Sequence, residues 1–177
     1  MNGAYAPPLT APPAFAGRQS RGDSAGAYLI AYLTAMQRCP AMAAAAGVQA
    51  PKAEIRALGL ISGMFYTTRR DKVGLTMPRY LYGPGWKSGA FVPYLDPGQW
   101  ACLGDFPPSL LVTSRDDMLH QYTVDFAGDL ERAGAACRLV DYPEDKRLVH
   151  AFSAVDPDLP ESQEVLSALA DFFRQAQ

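Results

Sequence analysis

The sequence is poor in the side chains that build metal sites and disulfide frameworks. Its 177 residues include only two histidines and three cysteines. The cysteines, Cys39, Cys102 and Cys137, are odd in number and widely spaced, so they fit neither a zinc-ligand pattern nor a set of disulfides. Reduced thiols of this kind are typical of the cytoplasm. We therefore expect a cytoplasmic protein without a metal site.

The sequence also lacks a large excess of charge and any long apolar run. Its formal net charge is -2, from 16 basic and 18 acidic residues, which gives no electrostatic reason to expect a nucleic-acid or anionic-membrane partner. No apolar stretch is long enough to span a bilayer. The first 17 residues have neither the basic start nor the apolar centre of a secretory signal.

Helical and strand patterns alternate along most of the chain. Residues 1–20 are rich in proline and alanine and predict an irregular leader before a domain at 21–177. Helices are predicted at 25–38, 119–133 and 160–175, and strands within 54–62, 109–113 and 136–142. Residues 41–50 suggest a link or short helix, and residues 66–100 a long loop or a small excursion from the fold. Such alternation predicts an α/β fold with a parallel sheet flanked by helices.

The stretch GRQSRGDSAGAYLIAYL, residues 17–33, has two competing interpretations. Arg21 to Ser24 form the tetrapeptide that adhesion receptors recognise on exposed loops. Gly22 to Gly26 instead form G-x-S-x-G, typical of a nucleophilic serine on a tight strand-to-helix turn. In that elbow Asp23 precedes the nucleophile, and side chains at Gly22 and Gly26 would clash. The second interpretation also accounts for the helix pattern that follows, and we favour it.

A serine nucleophile needs a base and a group that orients the base. His150 follows the last predicted strand, at the edge of a parallel sheet where catalytic groups collect, whereas His120 lies within a predicted helix. Asp116 and Asp117 directly follow another predicted strand. The resulting chain order of serine, aspartate and histidine is that of the α/β-hydrolases.

Four stretches resemble the hormone-sensitive-lipase-like branch of the α/β-hydrolases, which includes many bacterial esterases. They are GDSAGAY at 22–28, PPSLLVTSRDDML at 107–119, FAGDLERAG at 126–134 and HAF at 150–152. The resemblance implies that Ser24 is the nucleophile, His150 the general base and Asp117 the acid, with Asp116 as the alternative acid. It also implies that the N–H of Ala25 is one oxyanion donor.

The sequence departs from this family pattern at its beginning. The His-Gly-Gly loop that supplies the family's other oxyanion donors has no counterpart in the sequence, and the nucleophile comes at residue 24 rather than near mid-chain. The segment entering the elbow, residues 15–21, is polar where the family has an apolar strand. We therefore expect a partial α/β-hydrolase fold that lacks the N-terminal strands. Its open sheet edge and apolar helix face would favour self-association or a partner chain.

The resemblance implies a serine carboxylesterase that hydrolyses short-chain esters through an acyl-enzyme, with a small-molecule ester as substrate and no cofactor. Loss of one oxyanion donor typically costs about 2.7–4 kcal/mol of transition-state stabilisation, so we expect weak or absent activity. The alternative is a non-catalytic remnant of the hydrolase fold or an interaction module.

Overall fold

The computed structural model describes residues 18–50 and 52–176, which form one parallel sheet flanked by helices. The four strands lie in chain order across the sheet: β1 (Arg18–Asp23), β2 (Ile55–Ile61), β3 (Ser109–Ser114) and β4 (Cys137–Tyr142). The helices are α1 (Ala25–Arg38), α2 (Pro40–Ala45), α3 (Lys72–Tyr82), α4 (His120–Arg132), α5 (Phe152–Val155) and α6 (Pro160–Gln175). The predicted α/β class and parallel sheet are confirmed.

The sheet separates two hydrophobic cores, because successive side chains of a strand point to opposite faces. Leu111 of β3 packs on the face covered by α1 and α4. Its neighbours Leu110 and Val112 pack on the other face, against residues of α5 and α6. An apolar run such as that in β3 is therefore buried on both faces, as a central parallel strand requires.

The first strand differs from the prediction for the leader. Residues 1–17 lie outside the described residues, but Arg18, Gln19 and Ser20 belong to β1 and not to an irregular segment. Backbone hydrogen bonds to β2 form whatever the side chains are. A polar sequence can therefore form a strand at the edge of the described sheet, although it could not form a central strand. The strand was not predicted because its polar side chains give no strand pattern in the sequence.

The segment at 66–100 is not only a loop, since it contains α3. The Asp71 carboxylate caps this helix by accepting the Gly74 N–H at 2.9 Å, and it also accepts the Tyr122 hydroxyl of α4 at 2.6 Å. Glycine and Pro78 inside the helix weaken its sequence signal. The tertiary bond to α4 helps to hold it in place.

Helix α1 is apolar on nearly every side, but it is not buried on every side. Leu29 and Leu33 are 56% and 42% exposed. Within residues 18–50 and 52–176, every helix is too short or too polar to cross a bilayer.

Candidate active site

Ser24 occupies the sharp turn between β1 and α1. Its backbone has φ 51° and ψ -118°, in the left-handed half of conformational space that non-glycine residues rarely adopt. The Ser24 N–H donates to the carbonyl oxygen of Ile61 at 2.9 Å, which ties the turn to the end of β2. A Cβ at Gly22 would lie 2.5 Å from the carbonyl carbon of Gly26, so the turn requires glycine at residue 22.

The structure does not give Gly26 the same role. A Cβ built on Gly26 meets nothing within 4 Å, so the predicted clash at this position is wrong for the part of the chain that the structure describes. The first turn of α1 is open on this side. The neighbouring Asp23 side chain is also exposed.

His150 lies between β4 and α5 and contacts the serine directly. Its Nε2 atom is 2.9 Å from Ser24 Oγ, and its Nδ1 atom is 2.8 Å from Asp117 Oδ1. The next residue, Ala151, has φ 55°, which turns the chain sharply after the imidazole. Three side chains from distant parts of the sequence therefore form one line of hydrogen bonds.

Asp117 is the carboxylate that reaches the imidazole. Its side chain is fully buried, and Oδ1 also accepts the Leu119 N–H at 2.7 Å. Asp116 is half-buried, and its Oδ2 has no hydrogen-bond partner among the described residues. Of the two aspartates, the structure brings Asp117 to His150.

The charges of this pair support each other. Burial alone would raise the pKa of Asp117, but the hydrogen bond from His150, the nearby Ser62 hydroxyl and the Leu119 N–H hold it below its ordinary value. The hydrogen bond to Asp117 raises the pKa of His150 above 6.5, against the effect of burial, and the negative charges of Asp117 and Asp23 add to the increase. The imidazolium form is therefore stabilised beside an ionised carboxylate.

Ala25 is the first residue of α1, so its N–H has no acceptor within the helix. This N–H belongs to the positive end of the helix dipole and immediately follows the serine. An oxyanion that formed on a carbonyl bonded to Ser24 would need donors at this place.

The other sequence candidates lie apart from this arrangement. His120 pairs with Asp141 at 3.0 Å, on the exposed side of α4 and β4. Arg21 and Asp23, from the adhesion-type tetrapeptide, belong to β1, and Gly22 between them is buried. The tetrapeptide is therefore part of a strand and a helix start and does not form a flexible loop.

The described residues contain no group of three or more histidine, cysteine or acidic side chains able to hold a metal ion. All three cysteines are free thiols. Burial raises the pKa of Cys102 to about 11 and that of Cys137 to about 12, so these two thiols stay protonated at neutral pH.

Ser62, which no sequence motif indicated, directly follows β2 at the same edge of the sheet. Its hydroxyl accepts the Ala151 N–H at 3.1 Å, next to the imidazole. The sequence signal that could have indicated Ser62 is its position at the end of a predicted strand, since a polar residue at the carboxyl end of a parallel strand is close to the site.

Several solved esterases have the same fold as this chain. Esterase B from Lactobacillus rhamnosis aligns with a TM-score of 0.73 at 18% identity, over 89% of this chain and 53% of its own. An esterase/lipase from an uncultured bacterium gives 0.66 at 22%, over 89% and 52%. The hyperthermophilic esterase from Pyrobaculum calidifontis gives 0.59 at 24%, over 89% and 52%. The chain thus spans about half the length of these enzymes.

No curated protein sequence matches the chain at a significant level. The family model described as the alpha/beta hydrolase fold, however, matches residues 21–154, which include Ser24, Asp117 and His150. The chain therefore belongs to the α/β-hydrolase fold family, in its hormone-sensitive-lipase-like branch.

Proposed function

We propose that the chain is a serine carboxylesterase in which Ser24, His150 and Asp117 form a catalytic triad. The observation that carries this proposal is the pair of hydrogen bonds through one imidazole, 2.9 Å to Ser24 Oγ and 2.8 Å to Asp117 Oδ1. A base in contact with a nucleophile, and itself oriented by a buried carboxylate, is the arrangement that activates a hydroxyl.

In the proposed reaction, Ser24 Oγ attacks the ester carbonyl while its proton passes to His150 Nε2. The tetrahedral intermediate collapses when the bond to the alcohol breaks, and His150 returns the proton to the leaving alkoxide oxygen. Water, deprotonated by His150, then attacks the acyl-enzyme. The bond between the acyl carbon and Ser24 Oγ breaks as His150 returns the proton to Ser24, and the carboxylic acid is released. Asp117 orients the imidazole and stabilises its positive charge in both halves of the reaction.

A short acyl chain is the substrate class that the comparisons favour. Esterase B from Lactobacillus rhamnosis has been solved with a C4-C4 tributyrin phosphonate inhibitor, and another matching esterase was soaked with p-nitrophenyl butyrate. Both compounds carry four-carbon acyl groups. We extend this preference to the present chain as part of the proposal.

One observation favours the alternative, a non-catalytic member of the fold. Ala25 supplies one oxyanion N–H, but the sequence contains no His-Gly-Gly run to supply others. Each missing donor typically costs about 2.7–4 kcal/mol, or about 10²–10³-fold in rate. The proposed activity of these 177 residues is therefore weak unless another polypeptide segment supplies further donors.

Fluorophosphonate labelling tests the proposal, with Ser24→Ala and Ser20→Ala beside the unchanged chain. Ser20 lies on β1, four residues before the proposed nucleophile, and makes a matched control. We expect Ser24-dependent labelling and slow hydrolysis of p-nitrophenyl butyrate. Absence of labelling and of turnover would support the non-catalytic alternative, and labelling that survives Ser24→Ala would contradict the proposed nucleophile.

The predicted self-association or partner-chain contact is also part of this proposal. Within the described sheet, β1 pairs on one side only, with β2, and Leu29 and Leu33 are exposed on the helix that follows it. Sedimentation velocity at increasing protein concentration tests self-association. A monomer at all concentrations would contradict it.

A further inference from the structure

A buried hydroxyl group outside the proposed triad lies beside it. Ser62 is 1% exposed and follows the last residue of β2. Its N–H donates to the Val112 carbonyl oxygen of β3 at 2.9 Å, so its backbone is fixed to the strand that carries Asp117. Its hydroxyl oxygen accepts the Ala151 N–H at 3.1 Å, so its side chain is fixed to the turn that carries His150.

The backbone of Ser62 is strained, which indicates that the serine side chain has a role at this position. Its φ is 49°, a region that glycine adopts freely and serine adopts at a cost. Ala151, the donor to Ser62, has φ 55°. Two left-handed residues therefore meet through one hydrogen bond, next to the imidazole.

Within the part of the chain that the structure describes, one oxygen of the Asp117 carboxylate lacks a hydrogen-bond donor. Its Oδ1 accepts from both His150 Nδ1 and the Leu119 N–H, whereas its buried Oδ2 has no hydrogen-bond partner among the described residues. A buried carboxylate oxygen without a donor is costly. The Ser62 hydroxyl, bonded to the residue after His150, still has its own proton to donate after accepting from Ala151, and it contributes to the lowered pKa of Asp117.

The geometry points to Ser62 as a positioning residue, whose hydroxyl donates to the Asp117 carboxylate while accepting the Ala151 N–H, so that acid and imidazole are held in one arrangement. Among the described residues its hydroxyl forms no hydrogen bond with Ser24, and it acts through the other two residues. This inference rests on the proposed function, because it gives Ser62 a part in the same triad.

Nuclear magnetic resonance of the chain labelled with ¹⁵N-histidine tests the inference without requiring activity. The sequence has two histidines, so His120→Gln assigns both signals. The charged groups that face His150 are Asp117, from the turn after β3, and Asp23, from the end of β1. Neither is altered when Ser62 is changed.

Two variants remove the hydroxyl with different effects on strain. Ser62→Ala keeps a Cβ at the left-handed position. Ser62→Gly relieves the backbone strain, so it provides a folded variant without the hydroxyl even if Ser62→Ala fails to fold. Without this hydroxyl, the Asp117 carboxylate and the imidazole are no longer held in one arrangement. The hydrogen bond that raises the His150 pKa then weakens, so we expect that pKa to fall by about half a pH unit in both variants. Ser109→Ala is the matched control, a buried serine at the opposite end of β3 whose hydroxyl donates to Pro107.

A decrease in both Ser62 variants, and none in Ser109→Ala, supports the positioning role. A His150 pKa that is unchanged or higher in Ser62→Gly overturns it, whatever happens to stability. The two proposals fail separately, because an unlabelled Ser24 in the unchanged chain would contradict the esterase while the histidine titration would still decide the role of Ser62.

Discussion

Strands β1 and β3 end at the same site but are built in opposite ways. β3 lies between two strands, and all six of its residues are buried. β1 pairs only with β2 among the described strands, and Gly22 is its one fully buried residue. The proposed acid therefore follows the most protected strand of the sheet, and the proposed nucleophile follows an exposed one.

This difference shows that the position of Ser24 does not depend on a hydrophobic strand. It depends on the glycine that lets the turn close, on the Ser24 N–H bond to Ile61, and on the packing of α1 against the sheet. The position of Asp117, by contrast, depends on the packing of β3 in the core. Substitutions on the two strands should therefore have different consequences.

The largest expected effect comes from removing the acid at the end of β3. Asp117→Asn leaves the packing volume unchanged but presents the wrong hydrogen-bond partner to His150, which in a triad lowers the rate by about 10⁴-fold. We expect this loss in the rate of Ser24 labelling by a fluorophosphonate. The matched change Asp116→Asn should alter the rate less than twofold, and equal losses in the two variants would contradict the assignment of Asp117.

A core deletion in β3 should have the next largest effect. Leu111 is fully buried, so Leu111→Ala should destabilise the chain by about 2–5 kcal/mol. Ser20→Ala on β1 should stay within about 0.5 kcal/mol, since the side chain is only partly buried. Urea denaturation followed by circular dichroism measures both. Similar costs at the two positions would mean that β1 is as tightly packed as β3.

The two elbow glycines allow a sharper test within the β1–α1 turn. Gly22→Ala drives a methyl group against the Gly26 backbone, and overpacking of this kind costs about 1–3 kcal/mol. Gly26→Ala meets open space in the first turn of α1, so it should be neutral or stabilise the helix by about 0.4–1 kcal/mol. Thermal denaturation of both variants checks this. A destabilised Gly26→Ala chain would show that something covers this turn in solution.

The site was easier to predict from the sequence than the elements around it. Asp117 and His150 follow strands with clear apolar patterns, and the carboxyl ends of parallel strands share one edge, so their meeting with Ser24 could be expected from order alone. The choice between Asp116 and Asp117 needed the family resemblance, because adjacent residues carry the same pattern.

The elements that were missed are stabilised by contacts that have no local sequence signal. β1 is held by backbone bonds to β2 that its polar side chains do not reveal. Helix α3 depends on the bond between Asp71 and Tyr122, which lie 51 residues apart. The left-handed backbone of Ser62 could not be predicted, since serine rarely adopts it.

The smallest expected effect concerns a charge on β1. The Asp23 carboxylate contributes to the raised pKa of His150, so Asp23→Asn should lower that pKa by a few tenths of a pH unit. His150 must be neutral to accept the Ser24 proton, so labelling falls as the pH drops through its pKa, which lies above 6.5 in the unchanged chain. In Asp23→Asn the fall should come at lower pH. Asp105→Asn, an exposed acid near the opposite end of β3, should leave the profile in place. A shift to higher pH in Asp23→Asn would mean that β1 acts on the imidazole through its geometry and not through its charge.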